Sequence, residues 1–161
     1  MTAASLRDMS NHDGNPSFTS PEELATMAGE ATVYPGNFRD IDAVVDNCWN
    51  RIVEAIGQRG FGALASNIHM AMAEAIINAW KHGNRRKQNQ PIVFRWHFNH
   101  NVTFEVLDKG PGFDYHNLPD PTKGELKTAE NGRGIFIIRT LANAVQWRDK
   151  GRHLIVTFAP R

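Results

Sequence analysis

The sequence predicts an α+β domain: a two-layer α/β sandwich with helices packed on one face of a mixed, mostly antiparallel sheet. Three observations predict it. Two segments with helical apolar spacing follow one another in the first half of the chain. Two pairs of short β-rich runs are each joined by a tight turn. The resulting order, β-α-α-β-β-loop-α-β-β, layers the helices on one side of the sheet.

Residues 1–29 are polar, with Ser, Asn, Asp, Gly and Pro intermixed, and are expected to form a flexible N-terminal tail with a short helix at Pro21–Met27. The domain proper is expected to span residues 30–161. Ala31-Thr32-Val33-Tyr34 makes a short strand ended by Pro35-Gly36. Asn37 caps a helix whose apolar positions, Ile41, Val44, Val45, Cys48, Ile52, Val53 and Ile56, recur at threes and fours until Gly57 and Gly60. A second helix runs from about Leu64 to Lys81 on the stripe Ile68, Met72, Ala75, Ile76 and Ala79, and His82-Gly83-Asn84 reads as its glycine C-cap. Ile92–Phe98 and Val102–Leu107 alternate as strands around Asn99-His100-Asn101, and a glycine-rich turn follows at Asp108–Asp114. Tyr115–Glu130, with two prolines, a glycine and many polar groups, is long enough for a functional loop. A third helix over Ile135–Ala144 precedes the strands Val145–Arg148 and His153–Phe158, which turn at Lys150-Gly151.

A length of 161 residues suits one domain with a full core. The net charge of +1 provides no global field toward nucleic acid or an anionic membrane. Arg85-Arg86-Lys87 and the stretch Arg148 to Arg152 read as solvated basic loops. The single cysteine, Cys48, allows no intramolecular disulfide and no Cys-based zinc site, and its place in the helical stripe makes it a small buried hydrophobe. No run reaches the roughly 20 apolar residues of a membrane span, and the N-terminus has no hydrophobic signal core, so a cytoplasmic location is expected.

Three constellations carry chemistry. In EAIINAWKHGN, Glu74, Asn78 and His82 are spaced i, i+4, i+8 and share one helix face. The Asn78 amide oxygen suits a hard cation such as Mg²⁺, and Glu74 suits a proton acceptor. The same spacing also fits the hydrogen-bonded polar face of an ordinary amphipathic helix. In DKGPGFD, an Asp ends a strand and Gly110 and Gly112 permit close backbone approach. Asp108 can accept from an adenine amino group, although these residue types also make an unliganded turn. In ENGRGIFIIRTLAN, Asn131-Gly132-Arg133-Gly134 precedes an apolar helix, whose free N–H groups attract phosphate. A glycine-rich helix start packed on the sheet reads the same way.

Taken together and in this order, the three resemble the boxes of the GHKL ATPase superfamily. EAIINAWKHGN is similar to its N box, DKGPGF to its first glycine box and NGRGIF to its second, over about Ala31 to Phe158. Within that superfamily the chain is most similar to the bacterial anti-sigma-factor serine/threonine kinases. The resemblance implies the histidine-kinase-like ATPase fold, ATP and Mg²⁺ as cofactors, Glu74 as the catalytic residue, acting as general base or polarising the attacking hydroxyl, and Asn78 as the Mg²⁺ ligand. It implies nucleotide contacts from Asn78, Lys81, His82, Asp108, Gly110, Gly112, Phe113, Asn131, Gly132, Arg133, Gly134 and Thr157, with residues 115–130 as a lid. The implied reaction moves the γ-phosphoryl of ATP to a serine or threonine of a small antagonist protein. A sigma factor is a further implied partner, and a homodimer through the sheet edge or N-terminal strand is implied as well. No direct contact with nucleic acid or membrane is expected.

Two positions depart from that branch. Gly151-Arg152 stands where Gly-Thr is common, with Thr157 further on, and Lys81 stands where an apolar residue is frequent. Two other readings compete: an ATP-binding switch that sequesters a partner without kinase activity, and a histidine-kinase-like ATPase fragment. Glu74 favours the kinase over the pure switch, because a binder needs no base. No histidine-bearing helix pair precedes the domain and no transducer domain follows it, which weighs against the fragment.

Overall fold

A computed structural model describes residues 27–118 and 130–160. Among these residues the five strands are β1 (Ala28–Val33), β2 (Ile92–Phe98), β3 (Val102–Leu107), β4 (Ala144–Arg148) and β5 (His153–Phe158). They form one sheet in the order β1-β2-β3-β5-β4, and every neighbouring pair is antiparallel. The helices are α1 (Ile41–Asn50), α2 (Val53–Gln58), α3 (Ala65–Asn78) and α4 (Glu130–Leu141). The fold is the α+β layering the sequence predicts. Residues 119–129 of the expected lid 115–130, and residues 1–26 of the expected tail with nearly all of its short helix, lie outside the described residues.

The pleat decides which side of the sheet the helices cover. Ile92, Phe94, Trp96 and Phe98 on β2, Val102, Phe104 and Val106 on β3, and Leu154, Val156 and Phe158 on β5 all turn to one face and are buried there. Phe94, Phe104 and Phe158 run across three strands with ring centroids 6.2 and 6.4 Å apart. Ile68, Ala71, Met72, Ala75 and Ile76 of α3 meet this row, flanked by Val44, Val45 and Cys48 of α1 and by Ile138 of α4. Cys48 is the small hydrophobe expected, and burial pushes its thiol up to about 12. The opposite face is polar. Arg95 pairs with Glu30 and lies 4.0 Å from Glu105, whose Oε2 is 2.6 Å from His153 Nε2. Thr103 and Thr157 join hydroxyls there at 3.1 Å.

Four boundaries differ from expectation. β1 begins at Ala28, paired with His97, so the sheet takes up residues assigned to the tail. The first helix is capped by Asp40, whose Oδ1 accepts from Ala43 N at 2.9 Å; Asn37 falls instead in a 3-10 turn. That helix breaks after Asn50, where Ile52 N bonds back to Trp49 O at 3.0 Å, and the break lets both Ile52 and Ile56 reach the core. The second glycine box is not a turn ahead of its helix: α4 starts at Glu130 and contains Asn131 to Gly134. Glycine costs about 1 kcal/mol in a helix, and close packing of α4 on α3, described below, is what outweighs that cost. Among the described residues no helix is long and apolar enough to cross a membrane.

Candidate functional site

The site begins on the edge of α3 that faces α4. Glu74 and Asn78 are one turn apart on it and half-buried. Beyond Asn78 the helix widens into a π-helical turn, Ala79–Gly83, closed by Asn84 N donating to Ala79 O at 2.7 Å. Such turns shift the angular position of whatever follows them. Here they turn Asn84 inward, to 1% exposure. Its amide nitrogen donates to Pro91 O at 3.0 Å and Gln90 O at 3.3 Å, and its Oδ1 accepts from Lys109 N at 2.8 Å. Asn84 therefore bolts the end of the helix to the turn after β3. Gly83 is not the left-handed C-cap the sequence suggests. It is glycine because a Cβ there would overlap the Asp108 carboxyl group.

The Asp108 turn is fixed from several sides. Asp108 N donates to Arg152 O at 3.0 Å, Gly110 N donates to Asp108 Oδ1 at 2.8 Å, and Phe113 N donates to Lys150 O at 2.9 Å. Gly112 has φ +82, and any Cβ on it would overlap the Lys150 carbonyl oxygen. Burial pushes the Asp108 carboxyl above the usual carboxylate range, partly offset by the Gly110 N–H and the nearby Arg152 guanidinium. Burial likewise pushes Glu74 up. Both groups are acceptors held partly out of water, where a hydrogen bond to a ligand counts for more.

Between these elements lies a cavity of about 240 Å³. Val106 and Leu154 floor it and Trp147 walls it at the β4 side, while Ala75 and Ala79 leave room beneath α3. Asp108, Gly83 and Gly112 form its polar end, and Asn78 and His82 lead out of it. The start of α4 closes over the other side. A Cβ on Gly134 would lie 2.7 Å from Glu74 Oε2 and 3.0 Å from Asn78 Nδ2. The second turn of α4, at Gly134, thus rests on the Glu74–Asn78 pair, one turn in from the helix end that carries the unpaired N–H groups. Among the described residues no three His, Cys, Asp or Glu side chains gather as a metal site. The donor set still fits Mg²⁺, which keeps several waters and takes one or two protein oxygens plus phosphate.

The structure brings together Glu74, Asn78, Gly83, Asp108, Gly110, Gly112, Phe113 and Gly134. His82 lines the cavity mouth, whereas Lys81 faces a separate depression beside it. Gly132 and Arg133 lie in the first turns of α4; the side chain of Asn131 lies outside the described residues. Thr157 is not brought to the site, because alternation on β5 sends Val156 to the cavity side and Thr157 to the opposite face, against Thr103. Sequence reasoning missed Asn84, Trp147 and Arg152 as parts of the site. Asn84 had a signal in its place directly after Gly83, since a polar residue leaving an apolar helix must find partners. Trp147 and Arg152 reach the site only through strand pairing: β3–β5 brings Arg152 beside Asp108, and β4–β5 sets Trp147 opposite Leu154.

A family model described as Histidine kinase-like ATPase domain matches residues 43–158. No curated protein is similar enough to the chain to match it.

Proposed function

Because the chain belongs to the histidine kinase-like ATPase domain family, we propose that it binds ATP with Mg²⁺ and phosphorylates a serine or threonine of a small antagonist protein, as the anti-sigma-factor kinases it resembles do. The observation that carries this reading is the placing of two partly desolvated carboxylates around one cavity: Asp108 lines its polar end, and Glu74 sits one turn before Asn78, which also lines it, with both packed against Gly134 of α4. Asp108 accepts from the adenine amino group, and the base lies over Val106 and Leu154. The phosphates run past Asn78 toward the N–H groups of α4, which favour negative charge. Asn78 Oδ1 would hold Mg²⁺, whose charge would offset that of the phosphates. Glu74, raised by burial, accepts the hydroxyl proton of the incoming serine or threonine. The bond from that hydroxyl oxygen to the γ-phosphorus forms, the bond from phosphorus to the β–γ bridging oxygen breaks, and ADP leaves with the electron pair. Few side chains suffice, since phosphoryl transfer is mostly positioning and charge neutralisation.

The test is transfer of label from ATP to candidate antagonists from the same genome, with Glu74→Ala alongside. The variant is expected to keep nucleotide affinity and lose transfer by about 10²-fold or more. Undiminished transfer by Glu74→Ala, or label on a histidine of this chain, rules the proposal out.

A further inference from the structure

The π-helical turn delivers the chain into a tight reversal, Asn84 to Lys87, closed by Lys87 N donating to Asn84 O at 3.0 Å. Both central residues, Arg85 (φ 53) and Arg86 (φ 59), lie in the left-handed region. This is the pattern of a type I′ turn, whose centre favours Gly, Asn or Asp because a larger residue strains there. Two arginines are a poor choice for making such a turn. Strain kept at a surface position points to a use for the side chains it aims.

Here those side chains build a basic depression. Lys81, His82, Arg85 and Arg86 line it, and among the described residues no carboxylate does. The chain from Ala79 to Pro91 contains no Asp or Glu. Arg86 is steadied by Trp80, with its guanidinium carbon 5.8 Å from the ring centroid. His82 lines both this depression and the nucleotide cavity, so the two adjoin.

We infer that the depression is a docking subsite for an acidic segment of a protein partner, whose Asp or Glu side chains meet Arg85 and Arg86 beside the nucleotide. Arginine pairs with carboxylates in a two-pronged geometry, which sets register as well as attraction. The patch is confined to one turn on a chain of net charge +1, too local to follow a nucleic-acid backbone, where affinity comes from many phosphate contacts. The inference rests on the kinase reading only in taking this segment to be the one that carries the phosphoacceptor; recognition of charge needs no transfer.

The experiment uses the full chain with ADP and Mg²⁺. Fluorescence anisotropy follows three labelled probes: a serine peptide flanked by Asp and Glu, the same peptide with Asn and Gln, and a short single-stranded oligonucleotide of equal charge. The acidic peptide is expected to bind at least tenfold more tightly than the neutral one, and to weaken as salt rises. Arg85→Gly/Arg86→Gly suits the turn and should not lower the melting temperature; it should cost at least tenfold in acidic-peptide affinity and less than twofold in ADP affinity. Arg85→Lys/Arg86→Lys should recover part of the loss. Equal binding of the two peptides, indifference to the glycine variant, or tighter binding of the oligonucleotide overturns the subsite. Charge-dependent peptide binding here, together with failure of the separate label-transfer test with ATP, supports the subsite and removes the kinase reading instead.

Discussion

Asp108 is an expensive residue for the empty protein. Its carboxyl is raised by burial, so the folded chain holds a proton more tightly than the unfolded chain does. Folding then loses stability as pH rises from the ordinary carboxylate range, 3.8, through the raised value, and the loss stays in full above it. Asp108→Asn keeps an acceptor for the Gly110 N–H and removes the charge. The nucleotide-free variant is expected to melt higher than the parent near neutral pH, with the gap closing in acid below the ordinary carboxylate range. Its ATP affinity should fall about tenfold or more, because an amide donor can turn toward the adenine amino group. Melting curves across pH, paired with nucleotide titrations, check both halves; a variant no more stable at neutral pH would contradict the burial argument. Single residues of the site were legible only in company. Glu74, Asn78 and Asp108 were ambiguous one by one and stood out only through the order of the three motifs. Thr157 misled because a hydroxyl close in sequence to the right place sits on the wrong side of the pleat.

At the level of elements, two junctions hold the site in shape. Asn84 ties the end of α3 to the backbone at Lys109, Gln90 and Pro91. Asn84→Ala leaves buried donors and acceptors unpaired and is expected to cost about 1–3 kcal/mol. Amide exchange at Lys109 and Gly110 should accelerate in step; if it did not, the side chain would be packing filler. Gly134 is the other junction. Alanine there restores helix propensity, worth about 1 kcal/mol, while its Cβ displaces the movable end of Glu74 and the Asn78 amide. Gly134→Ala should therefore unfold within about 1 kcal/mol of the parent yet lose at least tenfold in transfer. Stability by denaturant titration and rate by label transfer separate the two effects. Helices and strands were readable from their apolar periods, but the π-helical turn and the helical second glycine box were not. Both depend on what packs against them, Gly83 against Asp108 and Gly134 against Glu74, and periodicity says nothing of such contacts.

For the whole molecule, the two faces of the sheet differ in what they contribute. The inner face holds Phe94, Phe104 and Phe158 fully buried against the helices. Phe104→Ala is expected to cost about 3–5 kcal/mol, enough to consume much of a small domain's stability of about 5–15 kcal/mol. On the outer face, Arg95 is half-exposed between Glu30 and Glu105, and Arg95→Ala should cost under about 1 kcal/mol. Denaturant midpoints of the two variants decide this, and similar losses would mean that the polar ladder matters more than its exposure suggests. The layered architecture was legible because two hairpins and a helix pair leave few ways to bury their apolar faces. The strand order was less so, since inserting β5 between β3 and β4 depends on pairing between runs nearly fifty residues apart.

The indole at the end of the cavity makes the site visible to light. Trp147 lies 5.1 Å under the Arg139 guanidinium, and its ring stacks on Tyr115 with centroids 6.0 Å apart. Of the four tryptophans it alone lines the cavity. A purine entering there would change the surroundings of this indole and leave the other three in place. The emission spectrum should shift or dim as nucleotide is added, and Trp147→Phe should abolish the change while leaving most of the total intensity. The unmodified protein would then report its own occupancy, in real time and without a label.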